Sequence, residues 1–193
     1  MQRLGQEGLS PDYRSENTRR TVSPPRIFGV AGYKNSGKTA LIVDLVRDLV
    51  ARGWRVGTIK HAHHDFDIDH PGKDSFLHRA AGATEVVVAS TRRVAHIREL
   101  TASDEPSLDE LVQQMRDVDL VLVEGWKSGS HPRIELRRAA APATAIAGTA
   151  PGVLAIVSDD PLANERLPVL QRENVPAIAD FILASVGLSQ SQP

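Results

Sequence analysis

The octapeptide Gly32-Tyr-Lys-Asn-Ser-Gly-Lys-Thr39 fits G-x-x-x-x-G-K-[ST] at every fixed position. Ahead of it runs the short apolar segment Ile27 to Ala31. Behind it, Leu41, Ile42, Leu45, Val46 and Leu49 recur at helical spacing until Gly53 supplies a stop. That context is what the pattern needs. The glycines let a strand-to-helix loop wrap so that successive backbone N–H groups face one anion, and the helix N-terminus adds its partial positive charge. Lys38 would then reach the β- and γ-phosphates of a nucleotide, and Thr39 would place its hydroxyl on Mg²⁺.

The rest of the chain fits one such domain. With 193 residues, 41% of them hydrophobic, there is enough apolar material for one sizeable core and too little for two. Residues 1–25 are rich in Arg, Ser, Gln, Glu and Pro and are expected to form a disordered tail. The nucleotide-binding domain is expected over residues 26–188, with a short polar tail at 189–193. Trp54 to Lys60, Glu85 to Ala89, Arg93 to Leu100, Leu120 to Val123 and Val153 to Val157 read as strands, and Ile134 to Leu136 as a minor one. Asp74 to Ala81 reads as a short helix. Ser107-Leu-Asp-Glu110 is a capping-box pattern opening a helix through Met115, and Val175 to Val186 reads as the last helix. Apolar strands alternating with amphipathic helices predict an α/β fold: a mostly parallel sheet with helices on both faces and right-handed crossovers.

Charge and composition exclude several classes. Lys plus Arg number 23 against 24 Asp plus Glu, so no global field draws the chain to nucleic acid or an anionic membrane, and any anion site must be local. The absence of cysteine removes disulfides, thiolate zinc sites and thiol nucleophiles. No apolar run is long enough to span a bilayer, and the N-terminal stretch lacks the apolar region of a secretory signal, so a cytoplasmic protein is expected.

Further site candidates lie where apolar strands end. Glu124, after Leu-Val-Leu-Val and before Gly125, is the candidate carboxylate for the magnesium side, directly or through water. Five of the seven histidines, His61, His63, His64, His70 and His78, crowd one segment with Asp65, Asp67 and Asp69. Three readings are open for that segment: a loop of the nucleotide site, a dedicated metal site, or a polar surface. As a site loop it would bring aspartates to magnesium-bound water, with Lys60, Lys73 and Arg79 facing phosphates. No N-K-x-D or T-K-x-D announces a guanine pocket. Asp159 and Asp160, after the strand ending at Val157, stand where a carboxylate could accept from guanine N1–H and N2–H₂, or form a polar turn before Pro161. From the residues alone GTP and ATP are equally open.

Several segments together resemble a known family. Gly32 to Thr39, Gly57-Thr-Ile-Lys-His-Ala-His-His-Asp-Phe-Asp-Ile-Asp69, Pro71-Gly-Lys-Asp-Ser75, His78-Arg-Ala-Ala-Gly-Ala83, Val123-Glu-Gly-Trp-Lys127 and Pro132-Arg-Ile-Glu-Leu-Arg137 are similar to the MobB family of molybdopterin-guanine dinucleotide biosynthesis adapters. The resemblance runs from about Arg26 to Asp160. It implies a SIMIBI-type P-loop NTPase fold, GTP and Mg²⁺ as ligands, a homodimer, weak GTP hydrolysis, and partnership with a MobA-type guanylyltransferase acting on molybdopterin. Carried over by motif, Gly32, Asn35, Ser36, Gly37, Lys38 and Thr39 would hold the phosphates. Lys60, His61, His63, His64, Asp65 and Asp67 would shape the groove facing nucleotide and cofactor, and Glu124 and Gly125 would close the magnesium side. Lys127 and Arg133, with Lys73 and Arg79, would offer positive charge to a second anion such as the molybdopterin phosphate. Asp65 or Asp67 would orient water in any hydrolysis.

Two other functions compete. A small-molecule kinase would use the same loop on ATP and show turnover stimulated by its acceptor. A metallochaperone GTPase would hold metal through the His/Asp segment and lose it when His63 and His64 are replaced.

Overall fold

The computed structural model describes residues 24–62, 66–101, 105–126, 129–138, 146, 150–162 and 165–189. The expected tails therefore fall almost wholly outside the described residues. Six strands form one parallel sheet: β1 (Arg26–Ala31), β2 (Val56–Lys60), β5 (Leu120–Glu124), β6 (Arg133–Arg137), β7 (Val153–Ser158) and β8 (Val169–Gln171). Their order is β2-β5-β1-β6-β7-β8. The α/β expectation with a parallel sheet holds.

Side-chain alternation along the strands decides which face each residue serves. Phe28 and Val30 of β1, Leu120 and Leu122 of β5, Ile134 and Leu136 of β6, and Ala155 and Val157 of β7 point to one side. There they bury against Leu41, Ile42, Leu45 and Leu49 of α1 (Lys38–Ala51) and Ile178, Ile182 and Leu183 of α4 (Val175–Ser185). The opposite face is covered differently. Ile59, Val121 and Val123 pack under Val112, Leu108 and Leu111 of α3 (Leu108–Gln113) and under Met115 beyond it. On β6 the residues of that face are Arg133, Glu135 and Arg137, and the first two are buried. Glu135 accepts from Arg137 Nη2 and from the Ile146 N–H, so its charge is compensated.

The capping box is present as written in the sequence. Ser107 Oγ accepts from the Glu110 N–H at 3.3 Å and the Glu110 carboxylate accepts from the Ser107 N–H at 2.8 Å. A cap of this kind contributes about 1 kcal/mol to so short a helix.

Strands β3 (Glu85–Ala89) and β4 (Val94–Arg98) depart from a single continuous sheet. They pair antiparallel as a separate two-stranded ribbon beside α2 (Asp74–Ala80). Strand β6 differs too: expected as a minor strand, it sits in the middle of the sheet, paired to β1 and to β7. Strand β8 is only three residues long at the sheet edge, too short for an alternation signal.

Candidate functional site

Register brings three strand ends to one place. Val30 of β1 and Lys60 of β2 both stand opposite Glu124 of β5, so the phosphate loop, the start of the histidine-rich segment and the acidic strand end meet at the carboxyl edge of the sheet. Ligands of open parallel sheets bind at that edge.

The phosphate loop is built by backbone conformations few residues tolerate. Gly32 has φ +151°, and a Cβ there would lie 2.7 Å from both the Leu136 carbonyl oxygen and Ser36 Oγ. Asn35 turns through φ +65°, a left-handed conformation that asparagine tolerates better than most residues. Gly37, also left-handed, is the N-cap of α1, and no side chain caps that helix. The first turn therefore keeps its backbone donors directed at the loop, as anion binding requires. Ser36 is buried, and among the described residues its hydroxyl has no hydrogen-bond partner. An orphaned buried hydroxyl inside a phosphate loop fits a ligand-bearing site.

The functional side chains are engaged with each other. Lys38 Nζ donates to the Tyr33 carbonyl at 2.7 Å, folding back across the loop it serves. The Thr39 hydroxyl donates to the Glu124 carboxylate, with separations of 3.0 and 3.2 Å to the two oxygens. Lys60 Nζ lies 3.8 Å from the same carboxylate. One hydroxyl and one carboxylate, both oxygen donors, form the hard donor set that Mg²⁺ takes while keeping several waters. Gly125, with φ +79°, sits so close to the His61 carbonyl that a Cβ would lie 3.1 Å from it. This close approach links the end of β5 to the segment after β2, alongside the bond from the His61 N–H to the Glu124 carbonyl. The His61 ring stands edge-on to Trp126, 5.0 Å between centroids, and its Nε2 is 2.6 Å from Glu105 Oε1. Neither Glu105 nor Trp126 had a motif to mark it as a neighbour of His61.

Other candidates are arranged differently. Arg133 is 2% exposed, and its guanidinium donates to the carbonyls of Trp126, Gly129 and His131. Burial pushes its pKa down. The side chain holds the segment between β5 and β6 instead of facing a groove, so the expected exposed cation is not found there. Arg79 is likewise committed, bonded to Asp67, Asp69 and Glu99. The Arg79 hydrogen bond, helped by the Asp69 N–H, holds the Asp67 carboxyl below the usual carboxylate range. Asp67 is therefore anchored by Arg79, while its carboxylate keeps further acceptor capacity. Asp159 is paired with Arg138, Oδ2 to Nε 3.1 Å, and Arg138 is a residue the sequence did not single out. His63, His64, Asp65 and Lys127 lie outside the described residues. Among the described residues no group of three or more His, Asp or Glu side chains is placed to hold a metal ion. No helix among them is long and apolar enough to cross a membrane.

Comparison with known proteins gives this arrangement a family. The model for "Molybdopterin guanine dinucleotide synthesis protein B" (MobB) matches residues 27–159. A molybdopterin-guanine dinucleotide biosynthesis adapter protein of Haemophilus influenzae is 40% identical over 159 residues, covering 81% of this chain and 86% of its own length. The adapter protein of Escherichia coli K12 is 39% identical over 166 residues, covering 81% and 91%. A crystal structure of molybdopterin-guanine biosynthesis protein B superposes with a TM-score of 0.66 at 30% identity, covering 83% of this chain and 99% of that one. With the phosphate loop, the acidic strand end and the sheet order all in place, the chain belongs to the MobB family.

Proposed function

We propose that this chain is a GTP-binding adapter in molybdenum cofactor biosynthesis, assisting the guanylylation of molybdopterin to molybdopterin guanine dinucleotide. The observation that carries the reading is the Thr39–Glu124 pair at the mouth of a fully formed phosphate loop, in a chain of this family. Gly32, Asn35, Ser36, Gly37 and Lys38 would hold the phosphates. Lys38 exchanges the Tyr33 carbonyl for phosphate oxygens. Thr39 and Glu124 would hold Mg²⁺, which when bound neutralises charge on the terminal phosphates. Asp159, with Asp160 beside it, would accept from the guanine edge.

Hydrolysis is weak at most, and the chain acts mainly as an adapter. Rapid cleavage needs an oriented water and an added positive charge at the transition state. Of the two aspartates proposed to orient water, Asp65 and Asp67, the latter is held in place by Arg79. Exposed Lys60 and Lys73, with Lys127, supply charge for a second anion such as the molybdopterin phosphate. The partner in this reading is a MobA-type guanylyltransferase. A homodimer is supported by the β3–β4 ribbon, which leaves Val87 61% and Val94 68% exposed.

Calorimetric titration with non-hydrolysable GTP and ATP analogues and Mg²⁺ tests the nucleotide reading. GTP preference that disappears in Lys38→Ala is the expected result. Preference for ATP would point instead to a small-molecule kinase.

A further inference from the structure

We propose that Arg138 is a positioning residue for base recognition: it fixes the Asp159 carboxylate against the phosphate loop, so that base and phosphates are read by one rigid unit. The inference rests on the reading above that Asp159 faces a guanine base.

The topology sets up the contact. β6 lies between β1, which feeds the phosphate loop, and β7, which feeds Ser158-Asp159-Asp160, and Arg138 is the residue immediately after β6. A side chain at that point can touch both loops. A Cβ built on Gly37 would lie 3.4 Å from Arg138 Nη2, 3.6 Å from Cζ and 3.8 Å from Nε. Three such similar distances place the guanidinium alongside the phosphate loop at Gly37. From there Nε forms an ion pair with Asp159 Oδ2 at 3.1 Å. The loop carrying Asp159 is shaped further by the Asp160 N–H donating to Ser158 Oγ at 3.2 Å. The neighbouring Arg137 is taken up by Glu135 and Glu165 and does not compete for Asp159.

The chemistry explains why orientation matters. The guanine edge presents two donors, N1–H and the 2-amino group, and one carboxylate can accept both only if its plane faces the base. Each carboxylate oxygen has a second acceptor site, so Oδ2 can keep Arg138 while accepting from the base. A half-exposed ion pair adds little as Coulomb energy. Its value here lies in placement: the planar guanidinium sits beside Gly37 and holds the carboxylate at that point, which the flexible lysine ammonium does not.

The test compares non-hydrolysable guanosine and inosine triphosphate analogues, the latter lacking the 2-amino group, by calorimetry with Mg²⁺. Arg138→Ala is expected to reduce the guanosine-over-inosine preference by about tenfold, the scale of one charge-assisted hydrogen bond. Arg138→Lys should recover affinity for both analogues without restoring the preference, and it carries the test alone should Arg138→Ala fail to fold. Equal weakening of both analogues, or no change, would overturn the positioning role. Asp159→Asn separates the two levels of the argument. If it keeps the wild-type preference, the base reading itself fails; if it abolishes the preference while both Arg138 variants keep it, only the role of Arg138 fails.

Discussion

His131 illustrates how a half-buried side chain reports on its surroundings. It is wedged between β1 and the buried Arg133, its Nε2 2.9 Å from where a Cβ on Gly29 would stand and its Nδ1 3.5 Å from Arg133 Nη2. Burial, reinforced by the Arg133 charge, pushes its pKa down to about 4. In the unfolded chain the same imidazole takes up a proton near pH 6.5. Between those values the unfolded state binds more protons, so His131 makes the fold lose stability as pH falls from about 6.5 toward 4, by at most about 1.4 kcal/mol per pH unit. Urea unfolding of wild type and His131→Gln across that range checks this: the variant should show the shallower decline. Identical slopes would mean the imidazole is not held neutral. The neutral imidazole also leaves Nδ1 able to accept from Arg133, whose guanidinium organises the chain between β5 and β6. The family resemblance offered Arg133 as an anion-binding candidate, and a charged residue ahead of an apolar strand has no burial signature to correct that reading.

Within the elements, local signals and final positions agree best where one face is apolar. The helical spacing of Leu41, Ile42, Leu45 and Leu49 corresponds to the buried face of α1, and the Ser107–Glu110 box opens α3 where expected. Strand β1 carries a subtler constraint. Gly29 faces the side where His131 and Arg133 pack, and a Cβ there would sit 2.9 Å from Arg133 Cβ and from His131 Nε2. Strand backbone and two neighbouring residues would have to shift together. Gly29→Ala is therefore expected to destabilise by about 2 kcal/mol, in the usual range for overpacking a filled interior, and a thermal melt reads it directly. An unchanged melting temperature would show that the segment through His131 relaxes freely. Nothing in the sequence marked Gly29, because the residues that crowd it come from more than a hundred positions later.

For the whole molecule, the uncovered surface is the ribbon of β3 and β4. Its pairing sets Val87, Ala89 and Val94 on one face with Glu85, His96 and Arg98, and that outer face remains exposed. Among the described residues neither strand pairs with any other, and an isolated ribbon is marginal by itself. A second copy of the chain would cover both the apolar face and the unpaired edges. Val87→Lys combined with Val94→Lys should convert a dimer to a monomer in sedimentation velocity. A wild-type chain that sediments as a monomer at micromolar concentration would end the dimer reading.

The sequence by itself determined the phosphate loop, the α/β class, the apolar strands and the capping box of α3, because each of these rests on contacts within a few residues or on a period that repeats along one element. It also marked Thr39 and Glu124 separately. Only the tertiary structure decided that the two touch, that β6 is central, that Arg133 and Arg79 are bound internally, and that Arg138 bridges Gly37 and Asp159. Those outcomes depend on which strands become neighbours. Strand order brings together residues distant along the chain, and no local pattern encodes the distance between them.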